Sequence, residues 1–316
     1  MYHFIVNPNA SSGQNRHIWK QIKKLLSEEQ VTYQAYFPKS RKETEELTAQ
    51  LTAGAPLSGT SEESICHIIV LGGDGTLNAV LQGIRCFNRT KLSCIRIGSG
   101  NDFARDLKLG RHPVKALQKI LHQPEEISMD YGEARCQSGD GKVLRRLFLI
   151  SSGVGYDAAI CAEANHSTLK NLLNTLHIGK LIYLLIGLKQ IFTKTSAPAL
   201  LQLDEQPPIR IDRMFFLTSM IHCYEGGGVP FCPNADYSDG LLDLCLVESM
   251  PKYKLLLAVL LVYFKKHYCF PEVTGYRCRS LRLQTARPEW LHMDGETPCK
   301  IQKLSIKCLP GLKVIR

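Results

Sequence analysis

The N-terminal third of the chain repeats one pattern of apolar and polar positions three times. Each repeat has a short apolar run, then a loop rich in glycine, asparagine or serine, then a helix-like stretch. The runs are YHFIV from residue 2, ICHIIVL from residue 65 and LSCIRI from residue 92. Continuous apolar runs of this kind are typical of parallel strands buried on both faces. The pattern therefore predicts an α/β domain with a parallel sheet, whose three loops share the carboxyl edge of that sheet.

Beyond residue 126 the pattern changes to many strand-like runs that alternate apolar with polar residues, among them ALLQLD and SLRLQT. One helical region, at about 157–193, interrupts them. This pattern predicts a second, β-rich and sandwich-like domain. We expect domains at 1–125 and 126–300, and a C-terminal segment, 301–316, for which a return to the first domain is one option.

Two apolar runs test whether the chain crosses a membrane. LIYLLIGL (181–188) lies between Lys180 and Lys189, and LLLAVLLVYF (255–264) lies between Lys254 and Lys265. Both are shorter than the ~20 residues that span a bilayer. The interpretation favours helices of the core, and helices at a membrane surface are the alternative.

The composition indicates an anionic partner. The 316 residues include 39 Lys and Arg against 29 Asp and Glu, a net charge of +10. Nucleotide phosphates, a nucleic acid or an acidic membrane would suit this charge. No nucleic-acid-binding module is recognisable, so we predict no nucleic-acid partner. The twelve cysteines lack metal-site spacing, which is typical of reduced thiols in a cytoplasmic protein.

The loop GGDGT (72–76) has the chemistry of a phosphate site. Glycine lets backbone N–H groups approach a bulky anion, and the helix that follows adds unpaired donors. Asp74 would repel phosphates unless it faces a divalent cation or a hydroxyl group. A plain turn is the alternative for this loop alone. NPNASSG (7–13) and GSGND (98–102) are expected at the same edge, so together the three loops predict one triphosphate site.

Two acidic turns follow later in the chain. HMDGE (292–296) carries Asp294 and Glu296. One interpretation is a turn whose carboxylates are solvated. The alternative is that it supplies the proton acceptor that phosphoryl transfer to an alcohol needs. NADYSDGLLD (234–243) carries Asp236 and Asp239, whose oxygen ligands suit Mg²⁺ or Ca²⁺.

The ordered motifs NPNASSG, GGDGTLN, GSGNDFAR, SSGVGYDA, GGGVPFCPNADYSDGLLD and HMDGE extend over nearly the whole chain. In these motifs the sequence resembles the bacterial diacylglycerol kinase family of lipid kinases, relatives of sphingosine and ceramide kinases. The resemblance implies an N-terminal α/β nucleotide domain, a C-terminal β-sandwich that takes the lipid, and an ATP site in the cleft between them. Arg96, where relatives usually have proline, and Ser238, where many have aspartate, depart from the pattern.

The resemblance also implies roles for particular residues. Asp294 would accept the proton of the lipid hydroxyl, with Glu296 beside it. Asp236, Asp239 and Leu241 would form a metal site. The residues implied to bind ATP are Asn7, Asn9, Ala10, Ser11, Ser12, Gly13, Ser40, Gly72, Gly73, Asp74, Gly75, Thr76, Leu77, Asn78, Ser99, Asn101 and Asp102.

The sequence thus predicts a cytoplasmic kinase that uses ATP and Mg²⁺ at the inner face of an anionic membrane. Diacylglycerol is the first-choice acceptor, although other lipid alcohols fit the motifs. The alternatives are a kinase for a soluble substrate such as NAD and a catalytically silent lipid-binding relative. The sequence leaves open whether the protein forms a homodimer.

Overall fold

The computed structural model describes residues 1–8, 15–53, 65–97, 100–138, 141, 143–166 and 179–316. The chain divides into two compact units. Unit 1 contains Met1–Asp130 and Pro310–Arg316, and unit 2 contains Tyr131–Leu309. Each unit has its own hydrophobic core.

Unit 1 is built on a parallel sheet. Its elements are β1 (Tyr2–Val6), α1 (Asn15–Glu28), β2 (Tyr33–Tyr36), α2 (Arg41–Thr52), β3 (Cys66–Gly72), α3 (Asp74–Gly83), β4 (Thr90–Arg96), α4 (Asp102–Asp106) and α5 (Pro113–His122), with a 3₁₀ turn at Phe87–Arg89. The strand order is β2, β1, β3, β4, and the end of the last strand of the chain then pairs parallel to β4 through Lys313 and Val314. The three predicted apolar runs are therefore β1, β3 and β4, and the predicted parallel α/β fold is confirmed.

The core of unit 1 explains why these runs are continuously apolar. Alternate residues such as Phe4 and Leu71 face α1 and α5, where they meet Trp19, Ile22 and Leu117. The residues between them face the opposite side of the sheet and are also buried, as expected for a sheet covered on both faces. The loops that follow the three strands consequently leave the sheet at one edge, where the carboxyl ends of parallel strands lie.

Unit 2 is mainly antiparallel, which confirms the predicted β-rich sandwich-like domain. Its strands are β5 (Glu126–Ser138), which begins in unit 1, β6 (Val143–Phe148), β7 (Ser151–Gly155), β8 (Ala197–Leu203), β9 (Ile209–Met220), β10 (Leu242–Glu248), β11 (Val273–Cys278), β12 (Ser280–Met293) and β13 (Lys300–Ile315), which ends in unit 1. The central order is β11, β10, β9, β7, β12, β13, so that β7 lies between β9 and β12.

The described residues of unit 2 include the helices α6 (Tyr156–His166), α7 (Gly179–Thr193) and α8 (Lys252–Tyr263), with a 3₁₀ turn at His267–Cys269. The predicted helical region 157–193 corresponds to α6 and α7, and residues 167–178 lie outside the described part of the chain. Among the residues described, no helix is long and apolar enough to cross a membrane. The two apolar runs were expected to be core helices. This holds for only one side of each helix, because the other sides of α7 and α8 expose rows of large apolar side chains.

Candidate active site

The first two glycine-rich loops of unit 1 are joined by a side-chain hydrogen bond. Asn7, which follows β1, donates from Nδ2 to Oγ1 of Thr76 over 3.0 Å. Its backbone N–H donates to the carbonyl of Leu71 at 3.1 Å. A Cβ on Gly72 would lie 2.6 Å from Oγ1 of Thr76, so this close contact requires the first glycine of GGDGT. Asn7, at the end of β1, therefore lies beside the start of α3.

The carboxylate of Asp74 ties the third loop to the second. Its Oδ2 accepts the backbone N–H of Asp102 at 3.0 Å, and its Oδ1 accepts that of Phe103 at 3.3 Å. These are the first amides of α4, which have no partner within their own helix. A negative charge beside a helix N-terminus is also favourable. The acid for which the sequence predicts a cation or a hydroxyl therefore has a structural task as well.

Glycines leave the start of α3 without side-chain cover at two positions. Gly73 is the N-cap residue, its backbone is extended, and it provides no side-chain cap. A Cβ on Gly75 would meet nothing within 4 Å, so this position is open. The ten-residue helix therefore begins without a side-chain cap, and the side-chain direction of Gly75 is open. Backbone donors at a helix N-terminus are the usual ligands of phosphate groups.

A cluster of cations lies near the carboxyl end of β4. Burial and the positive charges of Arg111 and Arg105 lower the pKa of Arg96 at the end of β4. Arg105 also lies 3.8 Å from the carboxylate of Asp102. The sequence singled out Arg96 only as a departure from the family pattern, and the grouping of the three arginines was missed. Their charge suits a polyanionic ligand.

Other residues predicted to bind ATP have tasks of their own in unit 1. Oγ of Ser40 accepts the N–H of Glu43 at 3.1 Å and so caps α2. The side chains of Leu77 and Asn78 are each 1% exposed. Oδ1 of Asn78 accepts hydrogen bonds from Arg41 and Gln82. Asn101 adopts a left-handed backbone just before α4. The predicted residues that lie outside the described part of the chain are Asn9, Ala10, Ser11, Ser12, Gly13 and Ser99.

In unit 2, Asp294 occupies a tight hairpin turn. Asp294 and Gly295 have φ angles of 48° and 82°, and Met293 and Glu296 exchange backbone hydrogen bonds of 2.9 and 3.0 Å. Two central residues with positive φ define a type I′ turn, for which Asp-Gly is a favoured sequence. The side chain of Glu296, the second predicted catalytic residue, is exposed beside the turn.

Three backbone amides hold the carboxylate of Asp294. Oδ2 accepts the N–H of Leu149 at 2.8 Å, and Oδ1 accepts those of Ile150 and Ser151 at 2.8 and 3.0 Å. Three of about four lone-pair sites of the carboxylate are therefore used by the backbone. Three such bonds fix the orientation of the carboxylate. The carboxylate is thus both an anchor for the segment before β7 and an oriented negative charge.

Directly before this turn lies a buried group that the sequence analysis missed. Nε2 of His292 is 3.1 Å from Oδ2 of Asp157 and 3.1 Å from Oε1 of Glu225. All three side chains are buried, with His292 0% exposed. The remaining oxygens also have donors, because Ala158 N–H donates to Asp157 and Thr218 donates to Glu225. We call these three residues the buried triad.

The charges of the buried triad follow from its geometry. Burial alone would lower the pKa of His292, but the carboxylates of Glu225 and Asp157 outweigh burial and hold it well above its usual value. Burial would raise the pKa of Glu225, and His292 reverses this and lowers it. For Asp157 burial prevails over His292 and raises the pKa. A buried ion pair between His292 and Glu225 therefore lies two residues from Asp294.

One glycine makes the buried triad possible. Gly153 of β7 lies opposite His292 in β12 and opposite Thr218 in β9. A Cβ on Gly153 would lie 1.8 Å from Oδ2 of Asp157 and 2.5 Å from Nε2 of His292. The first glycine of SSGVGYDA, Gly153, is thus required by the side chains packed over it. That glycine, together with the single Asp in the same motif, was the available sequence signal.

In unit 2, an arginine side chain lies beside the turn that was predicted to bind a metal ion. Oδ1 of Asp239 accepts the N–H of Leu241 at 2.9 Å, and Oδ2 pairs with the guanidinium of Arg277. Oδ1 of Asp236 accepts both the N–H and the hydroxyl of Ser238. Arg277 supplies at Asp239 the charge that a metal ion would bring. The carboxylates of this turn therefore do not fit a metal site, and we assign no part of the mechanism to a metal ion there.

Two family profiles match the chain. That of the diacylglycerol kinase catalytic domain matches residues 1–134, and that of the YegS C-terminal NAD kinase beta sandwich-like domain matches residues 150–316, which is more than half of the chain. The chain belongs to the diacylglycerol kinase-like family of lipid kinases. The resemblance stated from the sequence is thereby confirmed.

Individual relatives of this lipid kinase extend over most of its length. YtlR of Bacillus subtilis (strain 168) is 26% identical over 294 residues, which cover 93% of this chain and 92% of YtlR. A diacylglycerol kinase of Mycobacterium tuberculosis (strain CDC 1551 / Oshkosh) is 28% identical over 267 residues, covering 84% and 80%.

Solved structures share its fold. A diacylglycerol kinase from Bacillus anthracis str. Sterne superposes with a TM-score of 0.68 at 19% identity, covering 99% of this chain and 95% of that one. An NAD kinase from Archaeoglobus fulgidus, solved in complex with ATP, superposes with a TM-score of 0.50 at 12% identity, covering 100% and 92%. At these identities the likeness concerns the fold alone.

Proposed function

We propose that this lipid kinase transfers the γ-phosphoryl group of ATP to the hydroxyl group of a lipid, with Mg²⁺ as cofactor and diacylglycerol as the first-choice acceptor. One observation carries the proposal beyond family membership. The bonds from Asn7 to Thr76 and from Asp102 to Asp74 hold the end of β1, the start of α3 and the start of α4 together at one edge of unit 1. A triphosphate is the ligand that such an edge fits best.

Unit 1 would bind the nucleotide. The first amides of α3 would donate to phosphate oxygens, and the arginine cluster of Arg96, Arg105 and Arg111 would balance their charge. Mg²⁺, when bound, neutralises charge on the phosphates during transfer, and a carboxylate such as that of Asp74 is the ligand type it prefers. Fixed donors of this kind position the phosphates without reorganisation during the reaction.

Asp294 of unit 2 would serve as the proton acceptor. The lipid oxygen forms a bond to the γ-phosphorus, the bond to the bridging oxygen of ADP breaks, and the hydroxyl proton passes to the Asp294 carboxylate. The amides of Leu149, Ile150 and Ser151 hold that carboxylate in one orientation. The proposal therefore assigns Asp294 an anchoring and a chemical role together, with Glu296 as an exposed neighbour.

We further propose that the protein works in the cytoplasm, peripherally bound to the inner face of an anionic membrane. The net charge of +10 and the lipid acceptor support this location. The fold shared with an NAD kinase keeps phosphorylation of NAD as the second candidate. A homodimer stays a prediction, which sedimentation velocity can test.

The test is transfer of label from γ-labelled ATP with Mg²⁺ to a panel of lipids in mixed micelles and to soluble NAD. Wild type is compared with Asp294→Asn and with Asp212→Asn, a matched control in which an exposed carboxylate of β9 is changed. We expect label in one lipid, a loss of at least about 100-fold in Asp294→Asn, and full activity in the control. Label in NAD alone would overturn the proposal that the acceptor is a lipid. No transfer to any acceptor would favour the alternative of a catalytically silent lipid-binding relative.

A further inference from the structure

Two helices of unit 2 expose apolar side chains on neighbouring surfaces. On α7 the exposed residues follow helical spacing, and on α8 they lie at every third or fourth position. Helices α7 and α8 contact each other, and Ile191 and Leu255 share one buried cluster beneath them. We call the exposed set the docking face; it consists of Leu184, Leu185, Leu188 and Phe192 of α7, and of Tyr253, Leu257, Leu260 and Phe264 of α8 and its C-terminal end.

The exposure of the docking face is large. Phe264 is 72% exposed, Tyr253 69% and Leu260 62%, whereas Leu255 and Val262 on the other side of α8 are each 4% exposed. A helix with apolar residues on all sides normally has protein or lipid on all sides. Contiguous apolar patches of this kind on soluble proteins mark sites of interaction.

The charges around the docking face indicate what covers it. The sequence from Ser249 to Pro271 contains four lysines and neither Asp nor Glu. Lys254 pairs with Glu272 outside this stretch, but Lys265 and Lys266 are exposed and take part in no ion pair within the described residues. Two unpaired cations therefore follow directly after the apolar row. Apolar residues with lysines at the rim fit a surface that offers both hydrocarbon and negative charge.

We propose that α7 and α8 dock this enzyme onto an anionic bilayer, with the docking face in the acyl boundary and Lys265 and Lys266 at the headgroups. The inference rests on the proposed function insofar as a lipid acceptor lies in such a bilayer. Helix α8 has twelve residues, so it lies on the membrane and does not cross it. Tyr253 and Tyr263 at its ends suit the interface between headgroups and acyl chains.

A second copy of the chain is the competing occupant. A two-fold interface through this face would bring its lysines towards those of the partner, with no acid on either helix to balance them. The bilayer is therefore the better match. The experiment below distinguishes the two occupants.

The first measurement is co-sedimentation with vesicles of phosphatidylglycerol and phosphatidylcholine. Leu257→Gln with Leu260→Gln removes apolar contact without changing charge, and we expect vesicle affinity to fall by about tenfold or more. The matched control is Val143→Gln with Leu200→Gln, two exposed apolar residues elsewhere in unit 2, and it should bind as wild type does. Equal binding by both double variants and wild type would overturn the proposal.

Charge is tested separately. Lys265→Gln with Lys266→Gln should lower affinity for these vesicles by roughly thirtyfold at low salt, and little in pure phosphatidylcholine. Lys303→Gln with Lys307→Gln, which neutralises two exposed lysines of β13, is the matched control. An equal loss in both double variants would mean that the net charge alone attracts the protein, and the docking face would then have no special role.

The last measurement separates this inference from the proposed reaction. A Trp introduced by Leu260→Trp should be quenched by brominated phosphatidylglycerol, whereas one introduced by Leu200→Trp should not be. This readout needs no kinase activity. With a water-soluble short-chain diacylglycerol, Leu257→Gln with Leu260→Gln should keep wild-type turnover and lose it only on vesicles. A wild-type dimer that this double variant dissociates, with no quenching in Leu260→Trp, would identify the face as a subunit interface instead.

Discussion

The buried triad allows a sharp prediction about stability. In His292→Gln, the side-chain amide keeps donors beside Asp157 and Glu225 but removes the positive charge. Both carboxyl groups are buried, at 6% and 9% exposure, and the negative charge of Glu225 would be left without a counter-charge. Removing one partner from a buried ion pair costs about 3–5 kcal/mol. We expect the free energy of unfolding of unit 2 at pH 7 to fall by roughly 3 kcal/mol, the lower end of that range, because the donors remain.

The pH dependence gives a second, independent signature. The folded-state pKa of His292 lies well above its usual value, because of Glu225 and Asp157. The stabilisation is therefore fully present below the unfolded-state pKa of about 6.5 and is lost as the pH rises through the folded-state pKa. Above pH 6.5 the wild-type free energy of unfolding should fall by up to about 1.4 kcal/mol per pH unit. This fall should be absent in His292→Gln.

The assay is denaturant unfolding followed by tryptophan fluorescence between pH 6.5 and 8.5. The chain has two tryptophans, so a Trp19→Phe background leaves Trp290 as a reporter of unit 2. The upper limit of pH 8.5 avoids ionisation of the buried cysteines, because burial raises the pKa values of thiols such as those of Cys278 and Cys136. His267→Gln is the matched control, since His267 is also buried in unit 2 but burial lowers its pKa. In that variant the free energy of unfolding should still fall as the pH rises above 6.5.

A wild-type profile that is flat across this range would refute the reasoning. It would mean that His292 is neutral when folded, with Nδ1 accepting the Gly295 N–H that lies 3.4 Å away. A loss of stability in His292→Gln with no change in slope would lead to the same conclusion. The distances at Nε2, 3.1 Å to each carboxylate, favour the charged form.

Three further predictions concern neighbouring features. Gly153→Ala should lower the free energy of unfolding by about 3 kcal/mol or more in the same assay, because its methyl group would overlap Asp157, whereas Gly75→Ala should be nearly neutral. Arg277→Met should cost roughly 1–3 kcal/mol, because Arg277 pairs with the partly exposed Asp239 and also lies 3.4 Å from the buried Asp243, which would lose its partner. EDTA should leave the wild-type melting temperature unchanged, and a drop with EDTA would support a metal ion at this turn. Asp294→Asn should lower the melting temperature as well as the turnover, since an amide nitrogen in place of Oδ2 cannot accept the N–H of Leu149, and unchanged stability would contradict the anchoring role.

Much of the fold could be predicted from the sequence because local signals and the global fold agree. The runs that became β1, β3 and β4 are continuously apolar since both faces of their sheet are covered, and each ends at a loop suited to a helix start. The Asp-Gly of HMDGE is itself a turn signal, and the hairpin at Asp294 has the backbone that this dipeptide favours. In such places the spacing of residue types determines the local conformation.

The parts of the site that escaped prediction depend on contacts between distant segments. Asp157, Glu225 and His292 come from α6, from the segment after β9 and from β12. The glycine and aspartate of SSGVGYDA are a local signal, but they do not identify Glu225 or His292 as partners. Arg277 reaches Asp239 from β11 in the same way. The apolar run in α8 has no polar face, so hydrophobic periodicity could not show which side would be left uncovered.

The acidic turns illustrate why residue type alone does not fix a role. Asp74 and Asp294 both attract a catalytic or metal-binding interpretation in sequence, and in the structure both accept backbone N–H groups of another segment. These roles are compatible, because a carboxylate fixed by backbone donors is oriented before the substrate arrives. They differ in what mutation changes. An anchor without chemistry would lose stability and keep turnover per folded molecule, whereas a base that is also an anchor would lose both, so stability and kcat must be measured on the same Asp294→Asn preparation.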